Sequence, residues 1–257
     1  MSRSTIPHLD WYVATTGSDT TGDGSSGNPW ATGTHAYATI RDQFDLQGQF
    51  VTIHFASGTY AQIEAEGPLV GGRGAQSCTF LGDAVMATTT LNTPPTTGCV
   101  SSLRSRWGAA VRIKNFYLTG ANGLGADEGN IEYYSCAFGQ TSAAHINVSS
   151  GIVTKMDSGS WCAGSGTTYV TAEDHGEYNG ADAYETFGFA GIAFSIAGYQ
   201  ADELSIINLQ NTSWGGYGFT GPRFNLTSGA MIESAGQATT WIPGSAAGVT
   251  DGKGFWN

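Results

Sequence analysis

The chain has 257 residues and carries 10 basic against 21 acidic side chains, so its formal net charge is −11 at pH 7. This acidic balance disfavours nucleic acid and anionic membranes as partners, because their phosphates would be repelled. With 38 glycines and few charged residues, the composition fits one β-rich domain, or two small ones, with a large apolar core.

Residues 1–10 are polar and contain Pro7. They lack the apolar core of a secretory signal, and the sequence nowhere shows the roughly 18 consecutive apolar residues of a membrane-spanning helix. We therefore expect no membrane insertion. Residues 1–10 are predicted to be either a loose end or a segment that attaches the protein to a larger assembly.

Residues 11–50 are predicted to cap one end of the fold. A strand beginning at Trp11 is followed by a loop rich in Gly and Asp, and then by apolar residues at helical spacing from Ala36 to Phe44. Thr34 is predicted to be the helix N-cap and Gly48 its stop. Such a helix would cover the unpaired edges at the open end of stacked strands.

The loop in this capping segment contains Asp19 and Asp23, which are weak candidates for calcium ligands. Their spacing departs from the D-x-[DN]-x-[DN]-G loop with its terminal Glu. Asx turns, in which the side chain accepts a hydrogen bond from the backbone two residues later, are the favoured explanation. We expect no metal and no cofactor.

The cysteines are predicted to be reduced and buried as small apolar residues. They are too far apart in the sequence for a CxxC zinc site. A disulfide formed in an oxidising medium is the alternative. The four cysteines are Cys78, Cys99, Cys136 and Cys162.

Residues 51–220 are predicted to form repeated strands. Between Val51 and Phe55 every second residue is apolar, which is typical of a half-buried strand. Similar short runs recur, commonly after roughly 20 to 30 residues, as in solenoid proteins. These runs begin at Cys78, Val111, Asn130, Ile192 and Leu204. The pattern favours an all-β parallel β-helix, with a β-sandwich or jelly roll as the alternative.

Residues 159–184 are predicted to form a long loop, too polar for a core and too aromatic for a linker. Aromatic rings offer flat apolar faces to sugar rings. The candidates for glycan binding are therefore the aromatic residues in and beside this loop and in a second patch at residues 214–219. They are Trp161, Tyr169, Tyr178, Tyr184, Trp214 and Tyr217.

The same loop supplies the candidates for catalysis, because polysaccharide hydrolysis needs one protonated and one ionised carboxyl group. They are Glu173, Asp174, Glu177 and Asp182. No diagnostic motif surrounds them, so a solvated, non-catalytic role is favoured. A cluster of basic residues with a tryptophan among them could stack on sugars, or its last two members could be only the solvent-facing side of a strand. This cluster contains Arg104, Arg106, Trp107, Arg112 and Lys114.

Two stretches carry a resemblance to known families. The YVATTGSD, GDGSSGNPWAT and VTIHFASGTY segments, at residues 12–19, 22–32 and 51–60, resemble the opening of right-handed parallel β-helix proteins of the pectin-lyase-like superfamily. The extra residues 33–37 depart from that opening. Residues 221–236 and 241–255 are similar to the C-termini of β-helical virion proteins of tailed bacteriophages and gene transfer agents. Residues 221–257 are accordingly predicted to be a C-terminal cap or tail.

The resemblance implies a right-handed parallel β-helix with a short N-terminal capping helix, assembled as a homotrimer. It implies a spike or fibre on the virion surface, made in the host cytoplasm and attached to virion head or tail proteins. The expected function is binding of bacterial surface polysaccharide during host attachment. One alternative is a polysaccharide depolymerase, a hydrolase or lyase, on the same framework. A capsid-decorating protein without a ligand is the second alternative.

Overall fold

The computed structural model describes residues 3–83, 98–156 and 159–257. Within these residues the chain is mostly β, and every pairing between its named strands is parallel. The expected all-β fold with parallel strands is confirmed. The sandwich and jelly-roll alternatives are wrong, because both are built from antiparallel pairs.

Strands are numbered here along the chain, and most of them belong to three long sheets. The first sheet contains β2 (Asp10–Val13), β4 (Val51–Phe55), β7 (Cys78–Gly82), β10 (Ala110–Lys114), β13 (Asn130–Tyr134), β16 (Ile152–Lys155), β19 (Glu177–Asn179), β22 (Ile206–Asn208), β26 (Met231–Glu233) and β29 (Phe255–Trp256). The second contains β5 (Gly58–Thr59), β8 (Cys99–Ser101), β11 (Phe116–Gly120), β14 (Ala137–Thr141), β17 (Trp161–Cys162), β20 (Tyr184–Phe187) and β23 (Ser213–Gly216).

The third sheet contains β6 (Ile63–Glu66), β9 (Leu103–Arg106), β12 (Leu124–Asp127), β15 (Ala144–Ser149), β18 (Gly166–Glu173), β21 (Phe194–Ala201), β25 (Phe224–Leu226) and β28 (Val249–Thr250). Two small sheets pair β1 (Ser4–Thr5) with β3 (Phe44–Asp45), and β24 (Phe219–Pro222) with β27 (Gly244–Ala246). A 3-10 turn covers Ala75–Ser77, and the helix α1 covers Gly33–Gln43.

The chain visits the three long sheets in rotation. Strands β4, β5 and β6 lie in the first, second and third sheet, and β7, β8 and β9 lie one position further along the same sheets. We call one such pass a circuit. Since neighbouring strands are ~4.8 Å apart, equivalent residues of successive circuits form columns with that spacing.

Alternation within each strand decides which columns face the interior. In β4, Val51, Ile53 and Phe55 are buried and the residues between them are half-buried, as predicted. The strand pairs in register with β7, so that Ile53 lies beside the buried Phe80. Apolar columns of this kind, from all three long sheets, contribute to one large hydrophobic core.

The predicted helix is present, but its first turn begins earlier than expected. The N-cap is Thr32, whose hydroxyl accepts a hydrogen bond from the backbone N–H of His35. Thr34, the predicted N-cap, lies inside the helix, and the helix ends at Phe44 before reaching Gly48. Ala36, Tyr37 and Ile40 form the buried face of the helix.

Residues in the left-handed region of backbone conformation form the corners between sheets. The apolar run that begins at Val111 forms two strands, because Asn115, with a φ of 63°, divides it into β10 and β11. Ser135, with a φ of 48°, divides the next run into β13 and β14 in the same way. Positive φ turns the chain sharply, and a polar side chain such as Asn tolerates it.

The interior contains a fully buried ion pair between Lys155 and Glu185, whose Nζ and Oε2 atoms are 2.8 Å apart. Tyr169 and Tyr178 donate hydrogen bonds of 2.9 and 2.7 Å to the two carboxylate oxygens. Burial raises the pKa of both tyrosines well above its ordinary value, so they remain neutral donors. The Lys155 ammonium also donates to the carbonyl of Tyr184 at 2.8 Å.

All four cysteines are free and buried, as predicted. In the part of the chain that the structure describes, no group of three His, Cys, Asp or Glu side chains could hold a metal ion. No helix among the same residues is long and apolar enough to span a membrane.

Candidate functional site

A groove of about 540 Å³ lies over the outer face of the third sheet. Strands of four successive circuits, β9, β12, β15 and β18, form its floor together with the corners that flank them. It is lined by Gln62, Leu103, Arg104, Arg106, Trp107, Ala121, Asn122, Gly125, Asp127, Glu128, Asn147, Ser149, Ser150, Glu173 and Asp174. We call it the third-sheet groove.

Gly125 leaves a gap in the middle of the floor. The parallel register places it between Arg104 and Asn147 in one outward-facing column. A Cβ atom added at Gly125 would meet only the Cγ of Arg104, at 3.5 Å, which is an ordinary contact. The groove therefore exists here because one position of the column carries no side chain.

The neighbouring outward column contains a network of charged side chains. Asp127 accepts a hydrogen bond of 2.6 Å from Nε of Arg104, and its Oδ2 lies 3.4 Å from Nε of Arg106. Arg106 also approaches Glu66, at 3.7 Å. Further along the groove, the Asn147 amide donates to Glu173 at 3.2 Å. Both arginines are thus held by carboxylates of the protein itself.

The corner after the third sheet presents a column of exposed side chains with positive φ. We call it the corner column, and it contains Trp107, Glu128, Ser150, Asp174, Glu203 and Ser228, with φ values between 49° and 58°. These residues come from successive circuits, so neighbours in the column are separated by ~4.8 Å. The first four line the groove.

Trp107 is the unusual member of the corner column. A bulky residue with positive φ is strained by about 1–3 kcal/mol, and Gly, Asn or Asp would relieve the strain. Its φ is 53°, yet its side chain is 58% exposed, so packing does not explain its presence. The guanidinium of Arg106 lies 5.4 Å from the ring centroid. Trp107 also lines the groove.

Only two of the four acidic residues predicted as catalytic candidates lie in the groove. Glu173 and Asp174 line the groove. Glu177 lies around the corner, on an outward column of the first sheet, between Ile152 and Ile206. Asp182 is a further corner away, where it accepts a hydrogen bond of 3.0 Å from Asn211. The predicted loop at 159–184 is wrong, because β17, β18 and β19 run through it.

The carboxyl group of Glu203, the neighbour of Asp174 in the corner column, lowers the pKa of Asp174. The Ser149 hydroxyl, which donates a hydrogen bond of 3.1 Å to Asp174, lowers it further. The pKa of Glu203 is raised by its interaction with the Asp174 side chain and by the Asp174 charge.

Four of the six aromatic candidates are corrected by the structure. Tyr169 and Tyr178 are buried beside Glu185, at 1% and 0% exposure, because they occupy inward positions of their strands. Trp161 is 8% exposed and stacks on Phe189, and Trp214 packs edge to face on Tyr199 and Trp241. None of these four rings offers a free face to a sugar.

The two remaining aromatic candidates are exposed but do not line the groove. Tyr184 begins β20 and its ring lies against Gly215 of β23, in the second sheet. Tyr217 follows β23 and is 54% exposed. They define a second exposed aromatic surface, on a different sheet from Trp107.

The basic cluster is divided between two sheets. Arg104, Arg106 and Trp107 lie in the groove, as the sugar-stacking interpretation requires. Arg112 lies on the first sheet, where it binds Glu132 through its Nε at 2.9 Å and covers the ring of Tyr134. Lys114 lies on the same strand as Arg112. These two residues therefore fit the alternative interpretation, in which they form only the solvent-facing side of a strand.

The weak calcium candidates have structural roles. Asp19 accepts hydrogen bonds from the backbone N–H groups of Ala31 and Thr32, at 2.8 and 3.0 Å, and from the Thr32 hydroxyl at 2.6 Å. It thereby holds the N-cap of α1. Asp23 forms the expected Asx turn with the backbone N–H of Ser25. Hydrogen bonds from the Ser25 side chain and backbone lower the pKa of Asp23.

Asn147, Ser149 and Gly125 were missed by the sequence analysis. The sequence does contain a signal for this region. Trp107, Glu128 and Ser150 are each followed directly by Gly, and they are separated by 21 and 22 residues. These pairs mark equivalent corners of successive circuits. Aligning the sequence on them would have placed the preceding strand residues in register.

Comparison with known proteins gives no relative for this chain. No family model matches it, and no curated protein or solved structure is significantly similar to it. The case for a function therefore depends on the geometry of the groove.

Proposed function

We propose that this protein binds a bacterial surface polysaccharide through the third-sheet groove, as a spike or fibre on a virion. The observation that carries the proposal is Trp107, an exposed aromatic side chain held in a strained conformation beside a polar groove. Strain without a packing benefit is typical of functional positions.

The groove has the chemistry that a saccharide requires. The open face of Trp107 can stack on the apolar face of a sugar ring. Asn147, Ser149 and Glu173 offer donors and acceptors for hydroxyl groups. The gap above Gly125 gives a ring room to lie close to the sheet. A shallow, open groove of this kind suits an internal segment of a long polymer.

We further propose that the rotating parallel sheets form a right-handed parallel β-helix. The support is the regular order of strands in the three long sheets. Crossovers between parallel strands are right-handed in about 98% of cases. An experimental structure with a left-handed winding would contradict this part of the proposal.

A homotrimer of side-by-side chains is proposed as the assembled form. One outward column of the first sheet contains Ile152, Ile206, Met231 and Phe255, interrupted only by Glu177. Exposed apolar columns are typical of surfaces that meet another chain. Light scattering on the purified protein should give three times the chain mass, and a persistent monomer would contradict the trimer.

Binding should be measured by calorimetry with fragments of host surface polysaccharide. Trp107→Ala should abolish binding, and Gly125→Gln should weaken it by filling the groove. Tyr217→Ala is the matched control, since it removes an equally exposed aromatic ring on the second sheet. If Tyr217→Ala abolishes binding and Trp107→Ala does not, the second-sheet surface is the site and the groove is not.

The depolymerase alternative uses the same groove, because Glu173 and Asp174 line it. Release of reducing ends from host polysaccharide tests it directly, with Glu173→Gln and Asp174→Asn as variants. Binding without release supports the attachment role. The virion assignment has its own test, which is detection of the protein in purified particles by mass spectrometry.

A further inference from the structure

The charges in the third-sheet groove are not balanced. Arg104 and Arg106 are already engaged by Asp127 and Glu66. The groove is also lined by Glu128, Glu173 and Asp174. Its lining contains no cationic side chain besides the two arginines that could balance these carboxylates. Among the described residues, the Glu128 carboxylate has no hydrogen-bond donor and no cationic partner. The negative charge that remains is therefore available to a ligand.

The free carboxylate lies next to the aromatic ring. Glu128 follows Trp107 in the corner column, one circuit and thus ~4.8 Å further along. Asp174 lies two circuits beyond Glu128, after Ser150. A ligand extended along this column meets an aromatic face first and then carboxylates at intervals.

We infer that the groove selects a saccharide bearing free, protonated amino groups, with a sugar ring on Trp107 and an ammonium group at Glu128. This inference rests on the proposed function and names the class of polysaccharide. An ammonium group gains a charge-assisted hydrogen bond to the carboxylate and is also attracted by the indole face. An N-acetylated sugar of the same length has neither advantage.

Acidic saccharides are disfavoured by the same arrangement. A uronic acid or phosphate group would approach Glu128, Glu173 and Asp174 while both arginines are occupied. Like charges at contact distance repel strongly where water is partly excluded. The net charge of −11 on the whole chain adds to this repulsion at long range.

The test compares two glucosamine oligomers of equal length, one fully N-acetylated and one with free amines, by calorimetry at a pH where the amines are protonated. The free-amine oligomer should bind about tenfold more tightly, as one charge-assisted hydrogen bond contributes. Glu128→Gln should remove most of this preference, because it should weaken binding of the free-amine oligomer much more than binding of the acetylated one. High salt should also reduce the preference.

Glu233→Gln is the control, because it removes one negative charge from an outward position of the first sheet. It should leave the preference intact. Equal binding of the two oligomers, or tighter binding of a uronic acid oligomer, would overturn the inference while leaving a glycan-binding groove in place. If no saccharide tested binds at all and host polysaccharide also fails, the proposed function itself is wrong.

Discussion

Replacing Lys155 by methionine should destabilise the folded protein by about 3–5 kcal/mol, the usual cost of removing one partner from a buried ion pair. The side chains of Lys155 and Glu185 are 0% and 1% exposed, so water cannot reach the carboxylate that remains. Methionine preserves most of the volume of the lysine side chain. The loss therefore reports the uncompensated charge of Glu185, which would retain only the hydrogen bonds from Tyr169 and Tyr178.

Urea unfolding followed by circular dichroism measures this cost, and the melting temperature should fall by about 6–20 °C. Asp42→Asn is the control, because the ion pair between Arg41 and Asp42 has side chains that are 27% and 58% exposed. Its loss should change the free energy of unfolding by no more than about 1 kcal/mol. The double variant Lys155→Met, Glu185→Leu should recover much of the stability. A Lys155→Met protein within about 1 kcal/mol of the wild type would refute this reasoning.

Three further predictions follow from single side chains. Burial lowers the pKa of His145 from its ordinary 6.5 to about 4. The stability gained by keeping His145 neutral is therefore complete above pH 6.5 and is lost as the pH falls toward about 4. The urea midpoint should fall less steeply between pH 8 and pH 4 in His145→Phe than in the wild type, and equal slopes would contradict this. Asp19→Ala should cost about 1–3 kcal/mol by leaving the start of α1 without its acceptor, while a chelator should leave the wild-type melting temperature unchanged, because both carboxylate oxygens are already hydrogen-bonded. Trp107→Gly should raise the free energy of unfolding by roughly 1 kcal/mol, because it relieves backbone strain. The same change should abolish saccharide binding. A variant that is less stable than the wild type would show that Trp107 has a structural role.

Much of the local structure follows from the sequence because it depends on neighbouring residues. The alternation from Val51 to Phe55 determines a half-buried strand, since successive side chains point to opposite faces. The spacing of Ala36, Tyr37 and Ile40 determines a helix with one buried face. The small number of charged residues and the many glycines indicate a β-rich chain. The excess of acidic over basic residues makes the net charge of the chain negative.

The tertiary structure decides which face of each strand is inside and which circuits lie side by side. Alternation alone does not distinguish Tyr169 and Tyr178, which fill the interior, from Trp107, which is exposed. The groove joins Arg104, Gly125 and residues of two later strands, and their contact depends on the register of parallel pairs. That register is set by the length of every corner in between, and the corners vary in length. The site is therefore a property of the stacked circuits, which no single segment of the sequence contains.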